Sequence, residues 1–191
     1  KLDAEKWQTK MASDKLALDK ARLELDEWVL NNGDKRFIYQ DLQGDLFTGY
    51  SKVKCGIMWS SPLQVIPFFE SLGFNLATKD KKTGTMKKSV EAKLIEPQQD
   101  LSPVAKLYLA YKQADKVVST YGQSFIDQIN PVTGRIHTQF NQLMDTTRLS
   151  SGGKDKDTNT ETINLQNIPA DELTRACFVS EPGNVLIDCD Y

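Results

Sequence analysis

Apolar residues return every three or four positions over the first thirty residues: Trp7, Met11, Leu18, Leu25 and Trp28, with Asp14 the one polar interruption. Lysines and acids fill the other faces and Asn31-Asn32-Gly33 supplies a stop, so residues 1–31 are predicted as one long helix. Over 34–58, Gly44, Gly49 and Gly56 break up short aromatic and β-branched pieces, which predicts loop with a weak hairpin. Ser60-Ser61-Pro62 then opens a short helix. A serine hydroxyl can accept from the free first-turn amides, and proline there loses no bond. Val65, Ile66, Phe68, Phe69 and Leu72 supply its buried side and Gly73 ends it. A turn at Lys82-Thr83-Gly84-Thr85 and a short helix over 88–95 follow.

Ser102-Pro103 repeats the start signal. Val104, Leu107, Tyr108, Tyr111, Val118, Phe125 and Ile129 keep helical spacing to Asn130-Pro131, a second helix of about 27 residues. Tyr108, Tyr111 and Tyr121 read as helix core rather than as base-stacking platforms. Beyond Pro131, residues 135–140, 176–179 and 185–190 alternate like strands. Between them, 150–162 is a flexible surface loop rich in Ser, Gly, Lys, Asp and Thr. The expected class is α+β. Residues 1–131 form a helical region with a basic tip, and 132–191 begin a β-containing domain.

The 191 residues carry a net charge of -2, with 39% hydrophobic and 26% charged, values of a globular rather than disordered chain. No apolar run reaches the ~18 residues a bilayer span needs, and the polar start shows no secretory signal. An abrupt start at lysine and stop at Tyr191 suggest an excised piece of a longer protein. Cys55, Cys177 and Cys189 show no CxxC spacing, and His137 is the sole histidine, so a zinc site is close to excluded and reduced cytoplasmic thiols are expected. Between residues 79 and 93, Lys79, Lys81, Lys82, Lys87, Lys88 and Lys93 face only Asp80 and Glu91. Such a run either follows phosphates or forms a solvated surface.

The last predicted strand ends Val185-Leu186-Ile187-Asp188-Cys189-Asp190-Tyr191. A carboxylate closing an apolar strand needs compensation, which magnesium supplies through hard oxygen ligands, although many such acids only cap turns. Asp188 and Asp190 share a face, which fits a metal pair or one ligand beside a bystander.

Four further segments occur in order before that end, Thr133-Gly134-Arg135-Ile136-His137-Thr138, Thr147-Arg148-Leu149-Ser150-Ser151, Asn164-Leu165-Gln166-Asn167-Ile168-Pro169 and Arg175-Ala176-Cys177-Phe178, and Asp190-Tyr191 closes the series. Together with Ser119-Thr120-Tyr121, the series resembles family A DNA polymerases, the group of bacterial polymerase I, over about residues 119–191. The resemblance implies a fragment of a right-hand polymerase fold: a long-helix thumb, then the first strands of an antiparallel palm sheet ending at motif A. It departs from the family at Thr147, where glycine is usual, in a longer 150–162 connection and in a shorter segment after Pro169. These departures suggest a divergent or phage-like member.

By resemblance, Asp190 matches the aspartate that binds both catalytic Mg2+ ions. Arg148 matches an arginine reaching the minor groove at the primer terminus, where acceptors sit at similar places in all base pairs. Asn164, Gln166 and Asn167 match polar residues along the duplex. Lys112 and Lys116 fall on a basic helix facing the DNA, Lys81, Lys82, Lys87 and Lys88 on a tip contacting its backbone. Arg175 matches an arginine near the cleft, and His137 a hydrogen-bonding residue facing DNA rather than a catalytic base. The expected partners are primer-template DNA, dNTP and the remainder of the polymerase. The second catalytic aspartate belongs to a later motif, so this stretch by itself is expected to be inactive. Two rival readings are a polymerase relic that clamps DNA without chemistry and a single-subunit RNA polymerase.

Overall fold

The computed structural model describes residues 1–41, 52–80, 83–142, 148–154, 161–187 and 189. Its elements form two compact units, one of Leu16–Asp115 and one joining Lys1–Lys15 to Lys116–Tyr191. Helix α1 spans Ala4–Asn32 and α4 spans Val104–Thr120, and both contribute residues to each unit.

In the unit of Leu16–Asp115, β1 (Ile38–Asp41) and β2 (Lys52–Cys55) pair as an antiparallel hairpin, as expected for 34–58. Helix α2 (Pro62–Ser71) starts at the predicted proline. The Ser61 hydroxyl does not cap it, however. The amides of Gln64 and Val65 both donate to the Ser61 main-chain carbonyl at 3.1 Å. The lysine-rich stretch also departs from expectation. β3 (Ala77–Lys79) and β4 (Met86–Lys88) pair antiparallel in the register Ala77↔Lys88, Thr78↔Lys87, Lys79↔Met86. Lys88 is thereby drawn into a ladder, and the helix predicted over 88–95 shrinks to α3 (Ala92–Ile95).

The core of this unit gathers Leu25 and Val29 from α1, Trp59, Val65, Phe68 and Phe69 around α2, and Val104, Tyr108 and Tyr111 from α4. Phe68 is its hub, with ring contacts to Trp28, Phe37, Trp59 and Phe69 at 6.2, 5.3, 5.5 and 5.3 Å. Edge-to-face pairs of this kind add about 0.5–1.5 kcal/mol each beyond burial. The buried Trp59 indole donates to Asp26 Oδ1 at 2.7 Å, so its N–H is satisfied. Tyr108 and Tyr111 are buried, as the core reading of both required.

In the other unit, Trp7 stacks on Phe125 at 4.6 Å and meets Phe178 edge-on at 6.1 Å, with Leu2, Tyr121, Ile163 and Cys177 around them. The expected single helix to residue 129 does not occur. α4 ends at Thr120 and a separate turn, α5, covers Ser124–Asp127. Gly122 marks the break, because a Cβ there would lie 2.7 Å from the Val118 carbonyl. The Gly122 carbonyl is taken instead by the Trp7 indole N–H at 3.1 Å.

The β-structure of this unit is sparser than the alternation predicted. β5 (Phe140–Asn141) pairs with β6 (Ser150–Ser151), and β7 (Gly153–Lys154) with β8 (Glu161–Thr162), all antiparallel. Ile136 and Phe178 make only isolated bridges, to Ile129 and Leu2. The described residues of 185–190 form no regular strand, and Val185, Leu186 and Ile187 are exposed. Alternation alone does not make a strand; its N–H and C=O groups need a neighbour to pair with. Helix α6 (Glu172–Arg175) completes the unit. Mixed helices and small antiparallel sheets confirm the α+β class. Among the described residues, no helix is long and apolar enough to cross a membrane.

Candidate nucleic-acid interface

The Asn164–Pro169 segment begins with an asparagine because a 3-10 turn needs a cap. Asn164 Oδ1 accepts from the Gln166 amide at 2.9 Å, and the turn Leu165–Asn167 follows. Each residue of this turn is tied to another part of the chain. Gln166 reaches the Leu149–Ser151 segment with both ends of its amide. The Asn167 main-chain carbonyl accepts from the Tyr121 hydroxyl. Leu165 N donates to Ser151 Oγ at 3.0 Å. The Pro169 carbonyl accepts from Arg175 Nε at 3.3 Å, and Asp171 caps the helix carrying that arginine through the Thr174 amide at 2.8 Å. Burial is the largest single influence on Asp171 and opposes its ionisation, but hydrogen bonding to Thr174 and the charge of Lys10 together outweigh it, and the carboxyl ends below its usual range.

A groove of about 810 Å³ opens beside this turn, and Lys116, Ser119, Tyr121, Asn164 and Asn167 are among its lining residues. The structure thus brings together three of the expected DNA-binding residues, Lys116, Asn164 and Asn167. The groove presents a cation, hydroxyls and amides together. Arg148 is exposed, and among the described residues no carboxylate pairs with it. His137 is also exposed; its Nε2 lies 2.9 Å from Thr133 Oγ1, outside any strand.

Of the other described candidates, none lines this groove. Lys112 meets Asp115 at 3.9 Å. Lys87 pairs with Asp80 at 2.8 Å, which raises its pKa, and Lys88 with Glu70 at 2.6 Å. Lys81, Lys82, Asp188 and Asp190 lie outside the described residues. Among the described residues, no group of three His, Cys, Asp or Glu side chains could hold a metal. The three cysteines are free. Burial pushes the Cys55 thiol up to about 11 and raises Cys177, so both are poor nucleophiles.

Sequence reasoning did not single out Thr138, Gly152 or the hydroxyls of Ser151 and Tyr121. Thr138 Oγ1 donates to the Ile163 carbonyl at 2.5 Å and lies 3.4 Å from Ser151 Oγ. Their order within the motifs was visible, but a hydroxyl in a motif does not declare whether it turns toward a ligand or toward its own backbone.

The family model described as DNA polymerase family A matches residues 49–191. The thermostable DNA polymerase I of Thermus aquaticus is 37% identical over 128 residues, which cover 64% of this chain and 14% of that protein. DNA polymerase I of Chloroflexus aurantiacus is 42% identical over 109 residues, 54% of this chain and 10% of that one. The chain therefore spans only a small part of the length of these relatives. In structure it is similar to the POL domain of Pol1 from M. smegmatis, solved with DNA primer-template and dNTP. The TM-score is 0.62 at 23% identity, over 95% of this chain and 27% of that one. That likeness makes the fold a fragment of the right-hand polymerase architecture. With a family match over well more than half of its residues, the chain belongs to the family A DNA polymerases.

Proposed function

We propose that residues 1–131 are the thumb and residues 132–191 the start of the palm of a DNA-directed DNA polymerase that extends a primer with dNTPs. The observation that carries this reading is the groove lined by Lys116, Asn164 and Asn167, whose Asn164–Pro169 turn is hydrogen-bonded to the Leu149–Ser151 segment. Lys116 neutralises a backbone phosphate, and the two asparagines meet sugar and base-edge groups without selecting a sequence. Arg148 tests the geometry of the terminal base pair from the minor groove. Lys112, His137 and Arg175 extend the polar surface along the duplex. The β3–β4 hairpin, with Lys87 and Lys88 and the neighbouring Lys81 and Lys82, grips the DNA backbone.

Asp190 offers the hard carboxylate oxygens that Mg2+ prefers, and the ion would supply charge neutralisation at the transferred phosphoryl group. In the protein carrying this chain, Asp190→Ala is expected to abolish nucleotide addition while primer-template still binds. Losing several kcal/mol of transition-state stabilisation slows the step by roughly a hundredfold or more. Asp188→Ala is the internal control and should retain most activity. An Asp190→Ala protein that extends primers near the wild-type rate would overturn the assignment of Asp190 as the metal-binding carboxylate.

A further inference from the structure

One side chain joins the Asn164–Pro169 segment, which lines the groove, to the Arg148–Ser151 segment. Gln166 Oε1 accepts from the Ser151 amide at 2.9 Å, and Gln166 Nε2 donates to the Leu149 carbonyl at 3.0 Å. That is the two-bond exchange one strand makes with another, supplied here by a single amide. A third bond joins the same segments, from Leu165 N to the hydroxyl of Ser151, a residue only 4% exposed. Arg148 is the residue just before Leu149. Its side chain is exposed and, among the described residues, has no carboxylate partner.

We infer that Gln166 is a positioning residue for Arg148 rather than a contact to the duplex. Its amide is oriented toward the Leu149–Ser151 backbone, with one donor and one acceptor committed there. By fixing the chain on the C-terminal side of Arg148, it limits where the guanidinium can swing. The inference rests on the proposed role of Arg148 at the primer terminus.

The test is a double-mutant cycle on single-turnover primer extension, with primer-template affinity measured alongside, in the protein carrying this chain. Gln166→Ala is expected to slow extension about tenfold, the size of losing a pair of hydrogen bonds that hold geometry. Affinity for primer-template should stay within about twofold, as expected for a side chain that does not touch the duplex. Adding Gln166→Ala to Arg148→Ala should cost almost nothing further, because the group being positioned is already gone. Gln166→Met, of similar length but without hydrogen bonds, repeats the cycle if the alanine variant unfolds. Multiplying effects in the double variant, or a Gln166 variant at wild-type rate, overturns the positioning role and leaves Arg148 in place. An Arg148→Ala protein at wild-type rate removes the role of Arg148 and the positioning of it together.

Discussion

The Tyr121 hydroxyl donates to the main-chain carbonyl of Asn167, tying the end of the α4 segment to the turn that lines the groove. The ring is mostly buried and packs 6.0 Å from Phe125, so the bond is held on a fixed lever. Tyr121→Phe keeps the packing and removes the donor, leaving a partly buried carbonyl without it. The expected loss is about 1–3 kcal/mol of stability, read from urea unfolding. Primer-template affinity should fall as well if the turn must be fixed before it binds. A Tyr121→Phe protein equal to wild type in both would make the bond dispensable.

The lysine hairpin makes a salt-dependent prediction. Lys87 and Lys88 already pair with Asp80 and Glu70, but exposed pairs of this type are worth only about 0–1 kcal/mol and exchange readily for phosphate. Neutralising Lys81, Lys82, Lys87 and Lys88 together should weaken binding similarly for all DNA sequences. The slope of log affinity against log salt should become shallower by about 0.9 for each phosphate no longer neutralised. An unchanged slope would make the hairpin a solvated surface.

Glu181 gives the pH prediction. A hydrogen bond from Arg135 at 3.1 Å, then the charge of Lys1 at 3.6 Å, lower its pKa below the usual glutamate value. A lowered folded pKa means the group stabilises the fold above its unfolded pKa of about 4.3 and loses that contribution as pH falls through the folded value. Glu181→Gln should therefore melt below wild type at neutral pH, and the two curves should converge in acid. A gap that stays constant as the pH is lowered through the acid range would show the difference to be packing rather than charge.

These relationships were unevenly legible in the sequence. Helix α1, the β1–β2 hairpin and the start of α2 follow from periodicity and turn residues, because those signals are local. The end of α4 was not legible: helical spacing continues through Phe125 and Ile129, while the break depends on Trp7 claiming the Gly122 carbonyl from far along the chain. The strand periodicity at 185–187 failed for the converse reason, since pairing requires a partner that alternation cannot supply. At the groove, the resemblance had singled out Lys116, Asn164 and Asn167, and all three are among its lining residues. It did not reveal that Gln166, in the same motif, spends its amide on Leu149 and Ser151.

Gly152 tests how tightly those two motifs are pressed together. Its φ is +83°, a left-handed conformation that costs an L side chain about 1–2 kcal/mol. A Cβ there would also stand 2.8 Å from the Asn164 amide nitrogen and 2.9 Å from its Cα, both backbone atoms of the groove-lining turn. Gly183 separates the two effects, for its φ is +82° and a Cβ would meet nothing within 4 Å. Gly183→Ala should show the conformational cost alone. Gly152→Ala should cost about 1–3 kcal/mol more, because relieving the clash means moving the Asn164 backbone. It should also weaken primer-template binding, since Asn164 and Asn167 move with that backbone, whereas Gly183→Ala should bind as wild type. Urea unfolding and DNA titration of the two variants side by side make the comparison. Equal losses in both would mean that the loop at Gly152 yields freely, and that the Leu149–Ser151 and Asn164–Pro169 segments are not held together.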